Sequence, residues 1–294
     1  MSHFRSAPVC PGVAFITGGG RGLGLAIGQS FAKEGARGVV LFDIQPEDIM
    51  SAAKAAVEQF MVKDGRCVTI RGDVTKEEDL EAAVEKTVAE FGRLDYSANF
   101  AGIVGPLGAT WDVKTEEYKK VIEVNTIGVW LSMKVQLKQM LKQDSIGGIE
   151  DGRIGQKGSI VNCASVNSIQ GGAGTTGYTS AKHAVLGMTK SAALEARSQG
   201  VRVNCVSPGF LLTKLLAPAF EVAEGQTSAA ITGDAWELYE KRQGRKASFE
   251  EVGDVVALLC SPRMSLVVGH NLVIDGGQVL PESLPDPITL LTNR

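Results

Sequence analysis

Tyr178 and Lys182 stand four residues apart, at the start of a stretch whose residues from Ser180 to Arg197 read as a helix. That spacing puts two side chains on one helix face. A free phenol titrates at about 10, too high for a base at neutral pH. A neighbouring ammonium favours the phenolate and lowers that value. Tyr-Lys pairs at this distance are common, so the pair gains meaning from Ser165, thirteen residues before Tyr178. Ser165 ends the apolar run that begins Ser159-Ile160-Val161-Asn162-Cys163. A hydroxyl at the carboxyl end of a strand can orient a substrate oxygen beside Tyr178. It can equally be satisfied by its own backbone.

A second group of residues suits a phosphate. Thr17-Gly18-Gly19-Gly20-Arg21-Gly22-Leu23-Gly24 follows an apolar run and opens a helical pattern. A tight glycine turn lets backbone approach a pyrophosphate, and the helix N-terminus offers free N–H groups and partial positive charge. The spacing is GxxxGxG rather than GxGxxG, and no Gly-Lys-Ser/Thr follows as in a nucleotide-triphosphate loop. Asp43 ends the next apolar run, nineteen residues after Gly24. An acid there can accept bonds from adenosine ribose hydroxyls or serve as a solvated loop acid or cap. Facing the ribose, it opposes a 2′-phosphate: two unit charges about 4 Å apart cost on the order of 4 kcal/mol at a dielectric near 20. Arg21 pulls the other way, since a guanidinium pairs with phosphate. A strand-end Asp is fixed and a surface Arg swings free, so NAD is favoured and NADP remains possible. Asp73, in Asp73-Val74-Thr75, sits either at a helix N-cap or beside the adenine.

These residues need a scaffold. Short apolar runs alternate with amphipathic stretches. The runs are Val13–Thr17, Val39–Phe42, Cys67–Ile70, Leu94–Phe100, Ser159–Cys163, Val201–Val206 and Leu272–Ile274. The helical stretches are Gly22–Glu34, Glu47–Val62, Lys76–Phe91, a long one over Thr115–Leu141, Ser180–Arg197 and Phe249–Leu259. Continuous apolar strands alternating with helices predict a parallel sheet covered on both faces. The expected fold is α/β, one doubly wound domain with a seven-stranded parallel sheet. Gln143 to Gly158, glycine-rich and polar, reads as an exposed loop. Leu215 to Arg245 is ambiguous between helix and loop, and Pro281 to Arg294 reads as a tail or an arm onto a neighbour.

Together these motifs resemble the short-chain dehydrogenase/reductase family, with its Rossmann domain, over about Gly12 to Gly277. Its TGxxxGxG is met by Thr17, Gly18, Gly22 and Gly24, and its NNAG by Asn99-Phe100-Ala101-Gly102, with Phe100 replacing the second Asn. Its helix-borne Asn is met by Asn125, and its Ser and YxxxK by Ser165 and Tyr178-Thr179-Ser180-Ala181-Lys182. Its proline-glycine turn is met by Pro208-Gly209, with Thr213 downstream, and its closing strand end by Asp275-Gly276-Gly277. The resemblance implies an NAD(P)-dependent oxidoreductase interconverting a secondary alcohol and a ketone. Tyr178 is then the general acid or base, Lys182 its tuner and ribose ligand, Ser165 the oxygen anchor and Asn125 the holder of a relay water. It implies cofactor contacts at Gly18, Arg21, Gly22, Leu23, Gly24, Asp43, Ile44, Asp73, Val74, Asn99, Ala101, Gly102, Pro208, Gly209, Leu211 and Thr213, besides Tyr178 and Lys182. It implies a homodimer or homotetramer through the helices around Thr115–Leu141 and Ser180–Arg197. Leu215 to Arg245 takes the family's lid position. Its Leu215, Leu216, Phe220, Trp236 and Leu238 suggest an apolar or bulky substrate, or simply packing onto the fold.

Composition narrows the alternatives. The chain has 294 residues, 44% hydrophobic, and a net charge of −3, so no basic field attracts nucleic acid or anionic membrane. It holds no uninterrupted apolar stretch of membrane-spanning length. The first eleven residues lack a signal pattern, which leads us to expect a cytoplasmic protein. The five cysteines are scattered and read as reduced core thiols, and the three histidines have no metal spacing. A non-catalytic dinucleotide-binding regulator or a methyltransferase would keep the glycine loop but has no use for Ser165, Tyr178 and Lys182 in register. An epimerase of the extended type would want a larger C-terminal domain. Reduction of a carbon–carbon double bond stays open within the preferred class.

Overall fold

A computed structural model of the chain describes residues 8–145, 155–211 and 241–280. Among them seven strands form one sheet: β1 (Val13–Thr17), β2 (Gly38–Asp43), β3 (Arg66–Arg71), β4 (Tyr96–Asn99), β5 (Gly158–Cys163), β6 (Val201–Pro208) and β7 (Asn271–Ile274). Their spatial order is β3-β2-β1-β4-β5-β6-β7, and neighbouring strands are parallel throughout. The order reverses between β1 and β4, and a doubly wound sheet holds its ligands at the carboxyl ends of the strands at that point. The expected seven-stranded parallel sheet is thus observed.

The helices are α1 (Gly22–Lys33), α2 (Glu47–Glu58), α3 (Glu77–Phe91), α4 (Thr115–Ile122), α5 (Gly128–Lys142), α6 (Thr176–Ala196) and α7 (Phe249–Cys260). Strand side chains alternate between two cores. Ala14, Ile16, Val39 and Leu41 join the side chains of α1, α2 and α7 on one face. Val13, Phe15, Val40 and Phe42 join those of α3, α5 and α6 on the other. β1, β2 and β6 are buried along their whole length, which explains the apolar runs of β1 and β2, while β6 also buries Arg202 and Asn204.

Three expectations are corrected. The long helix over Thr115–Leu141 is interrupted by a π-turn at Glu123–Ile127. Tertiary bonds compensate the turn: the Asn125 side chain leaves the helix line to bond the backbone of Ile103. The fourth strand begins at Tyr96 rather than Leu94, because the Gln143 side chain takes both the N–H (2.7 Å) and the carbonyl (2.8 Å) of Leu94. Gln143 and Gln156, both within the supposed exposed loop from Gln143 to Gly158, are buried. Thr213, the expected lid from Leu215 up to residue 240, and the tail from residue 281 lie outside the described residues.

Candidate active site

The glycine loop joins β1 to α1 at the centre of the sheet's carboxyl edge. Gly18 has φ +72°, and a Cβ there would stand 2.8 Å from the Ala101 N. A Cβ on Gly24 would overlap the Gly18 carbonyl oxygen. Only glycine lets the loop turn this closely. α1 starts at Arg21 with no side-chain cap and with Gly22, Leu23 and Gly24 in its first turn, so those N–H groups remain available to an anion. A cradle closed to any Cβ and a helix start with no cap of its own fit a pyrophosphate.

Asp43 is the last residue of β2 and 9% exposed. One carboxylate oxygen accepts the Gly20 N–H at 2.9 Å, and the other the Gln45 N–H at 3.3 Å. A carboxylate has about four acceptor positions, so Asp43 is held rigidly by the loop and keeps capacity for ribose hydroxyls. Ile44 beside it and Arg21 are exposed. Asp73 does not cap a helix: α3 starts after Lys76 without a side-chain cap. Its carboxylate accepts the Thr75 N–H (2.9 Å) and hydroxyl (2.8 Å). Burial works against the charged form, but the Thr75 bonds and the nearby Lys120 and Lys76 hold the carboxyl below its usual range. Val74 is buried, and a Cβ on Gly128 would stand 2.9 Å from its Cγ2.

At the end of β4, Thr17 Oγ1 accepts the N–H groups of Phe100 (3.1 Å) and Ala101 (3.3 Å), tying Ala101-Gly102 against the glycine loop. Asn99, expected at the cofactor, spends its side chain inside the fold. Its Nδ2 donates to Gln136 (3.0 Å) and Asn162 (2.9 Å), and its Oδ1 accepts from Gln136 at 2.8 Å. Asn162 continues the chain to Thr189 at 3.0 Å, joining β4, β5, α5 and α6. A buried amide costs stability unless satisfied, and Asn99 is satisfied here without a ligand.

β5 and α6 deliver the catalytic candidates together. Ser165 follows β5 and is buried, its Oγ accepting the Asn167 N–H at 3.2 Å and lying close enough to Tyr178 to favour its phenolate. Ser168 Oγ donates to the Ser165 carbonyl at 2.6 Å. Lys182 is 3% exposed, donates to the Cys163 carbonyl at 2.7 Å and lies 5.3 Å from the centre of the Tyr178 ring. Burial opposes its ammonium, but Cys163 and Tyr178 outweigh that and raise its value. Tyr178 corrects the expectation from spacing alone. Burial is the largest influence and holds its phenol above the ordinary value, while Lys182 and Ser165 pull it down without prevailing. Asn125 reaches the same region through Ile103, accepting its N–H at 2.8 Å and donating to its carbonyl at 2.6 Å. Each of its polar atoms retains one bonding position for a water.

Beyond β6, the Gly209 N–H donates to Ile274 O at 2.8 Å, and Leu211 is buried in the core. Gln243, which sequence reasoning missed, shapes this turn: its Oε1 accepts the Phe210 N–H at 2.8 Å and its Nε2 donates to Arg245 O. Beside Tyr178 lies a cavity of about 230 Å³. Val104, Pro106, Val113 and Val121 form its apolar wall, and Thr110, Thr115, Tyr118 and Thr176 add hydroxyls. These wall residues carry no motif and were not read from the sequence.

A family model described as enoyl-(acyl carrier protein) reductase matches residues 18–278. Cyclohexanol dehydrogenase of Acinetobacter sp. (strain SE19) is 36% identical over 264 residues, 90% of this chain and 93% of that protein. The crystal structure of levodione reductase superposes with a TM-score of 0.79 at 34% identity, covering 90% of this chain and 96% of that one. That of NAD+-bound xylitol dehydrogenase gives 0.79 at 26%, covering 92% and 99%. The chain belongs to the short-chain dehydrogenase/reductase family, and is a nicotinamide-dinucleotide-dependent oxidoreductase. Among the described residues, no helix is long and apolar enough to cross a membrane.

Proposed function

We propose that this protein interconverts a small cyclic secondary alcohol and its ketone, with Ser165, Tyr178 and Lys182 as catalytic residues. The observation that carries the reading is their convergence: Ser165 and Lys182 both act on the Tyr178 phenol, Lys182 lying 5.3 Å from its ring centre, and Tyr178 lines a cavity. The bound dinucleotide supplies the hydride donor or acceptor. Ser165 holds the substrate oxygen, and Tyr178 gives it a proton in reduction and takes one in oxidation. Lys182 keeps two further N–H groups for a ribose and lowers the cost of the phenolate. Asn125 holds the Ile103 segment and a relay water. Gly18, Arg21, Gly22, Leu23 and Gly24 hold the pyrophosphate, Asp43 and Ile44 the adenosine ribose, and Asp73 and Val74 the adenine. Ala101, Gly102, Pro208, Gly209 and Leu211 line the nicotinamide half. Asn99 supports that half through Gln136 and Asn162 rather than by contact.

Asp43 favours NAD over NADP, in keeping with the NAD+-bound xylitol dehydrogenase. An apolar cavity of about 150 Å³ accommodates benzene, so 230 Å³ takes one ring with a few substituent atoms. Cyclohexanol dehydrogenase, by its name, acts on such a ring. We expect a cytoplasmic homodimer or homotetramer, as the family resemblance implies. The test is oxidation of NADH and NADPH across single-ring, open-chain and bicyclic ketones, with Tyr178→Phe as the blank. NADH turnover of single-ring ketones, lost in the blank, supports the reading. Turnover restricted to conjugated enones, with loss of the double bond, replaces it with carbon–carbon reduction, the activity in the family model's description.

A further inference from the structure

The cavity beside Tyr178 has one apolar wall and several hydroxyls, and at one place two hydroxyls from different elements meet. Thr110 Oγ1 and Thr176 Oγ1 are 2.6 Å apart, Thr110 in the loop after β4 and Thr176 at the start of α6. Both residues line the cavity. One hydroxyl hydrogen is used between them, so the pair keeps one free donor and several acceptor positions. As a clasp for the wall it adds little, because it is exposed and water competes for it. The same two segments are already tied by the Gly108 N–H donating to the Gly174 carbonyl at 3.0 Å.

Position adds to chemistry. Thr176 and Tyr178 are two residues apart on α6, and such side chains diverge by about 200° around a helix axis. Both nevertheless border one cavity. A ring that presents its reacting carbon to Tyr178 therefore offers a different ring atom to Thr176. Pockets of this kind use apolar walls for affinity and a few placed polar groups for orientation.

We infer that the Thr110–Thr176 hydroxyl pair is a second polar subsite, selecting single-ring substrates that carry another oxygen besides the one that reacts. This rests on the ketone–alcohol reading above and names its substrate class: hydroxyketones and diones of one ring.

The experiment is equilibrium binding of cyclohexanone and of the positional isomers of cyclohexanedione, in the presence of NAD+, by titration calorimetry. It compares the wild type with Thr110→Val, Thr176→Val and Thr110→Ser, and turnover of the same ketones with NADH is recorded in parallel. The wild type is expected to bind at least one dione about tenfold more tightly than cyclohexanone, roughly what one well-made hydrogen bond gives. Both valine variants should erase that ratio, and Thr110→Ser, which keeps the hydroxyl, should retain it. A wild-type ratio near one, a ratio unchanged by valine, or no binding of any ring ketone overturns the subsite. Binding that follows the expected ratio while no ketone or dione is turned over supports the subsite and removes the ketone-reductase reading alone.

Discussion

The two ends of the sheet use polar side chains in opposite ways. At the amino end, Arg202 on β6 is 4% exposed, and all five of its N–H groups have acceptors. Gln156 Oε1 and the carbonyls of Leu259, Val267, Cys260 and Ser261 lie at 2.9–3.1 Å. Asp95 accepts the Val13 N–H at 2.9 Å and the Arg93 guanidinium, and Gln143 staples Leu94 to Lys157. Arg202 and Gln143 are saturated by the protein itself. At the carboxyl end, Asp43, Lys182, Ser165 and the first turn of α1 are each held by a few bonds, with bonding capacity left over. A polar group saturated internally contributes stability, whereas one left partly open is available to a ligand at the expense of stability. Substitutions at the two ends should therefore separate activity from stability.

The largest effect is expected for Tyr178→Phe, which removes the acid–base oxygen. Turnover should fall by about 10²–10⁴-fold, while unfolding free energy changes by no more than about 1 kcal/mol. Steady-state kinetics and denaturant melts on one preparation check both halves. A variant that unfolds instead of losing turnover breaks the division between the ends. Arg202→Met is the mirror experiment. It leaves several buried carbonyls without donors, each costing about 1–3 kcal/mol, so at least about 3 kcal/mol should be lost in urea melts. Turnover per folded molecule should stay within about twofold, since the site is at the other end.

The raised Tyr178 value gives the next effect. In alcohol oxidation the phenolate is the active form, so kcat/KM should climb through the alkaline range, at most about tenfold per pH unit. Ketone reduction needs the phenol and should lose rate over that same range. Because Lys182 pulls the phenol down, Lys182→Met should move the oxidation limb to higher pH. An unmoved limb would detach Tyr178 from the profile. Asp43→Ser removes the charge that opposes a 2′-phosphate, and the NADPH-to-NADH ratio of kcat/KM should rise about tenfold.

The smallest effect belongs to Glu251, in the first turn of α7. Its bonds to Arg245, and then the Ser248 N–H, hold its carboxyl down to about 2. A value depressed on folding gives stability that is present above the unfolded value, about 4.3, and lost as pH falls toward the folded one. Both partners are exposed, 69% and 40%, so screening keeps the effect slight. Glu251→Gln should flatten only that acidic part of the stability profile, and added salt should shrink the difference from wild type.

Much of the site is legible in the chain. The glycine loop, Asp43, Ser165, Tyr178 and Lys182 sit at fixed offsets from strands and helices with plain periodicity, and those elements carry them to the expected edge. Gln143, Gln156 and Asn99 are not legible in this way. Their chemistry suits a surface or a ligand, and only neighbours distant in sequence turn them into buried staples. The π-turn at Glu123–Ile127 escapes for a related reason: the apolar periodicity of α4 and α5 runs on either side of it, and the bonds that sustain it come from Ile103. The Thr110–Thr176 pair unites residues 66 positions apart.

The sequence by itself determined the order of strands and helices, the parallel sheet and the set of residues at its carboxyl edge. Each follows from local periodicity, turn chemistry and the handedness of parallel crossovers. Tertiary structure alone decided which polar groups are saturated, how large a molecule fits beside Tyr178, and the direction in which the Tyr178 phenol is shifted. Those depend on burial, and burial is set by segments that meet only when the whole sheet has formed.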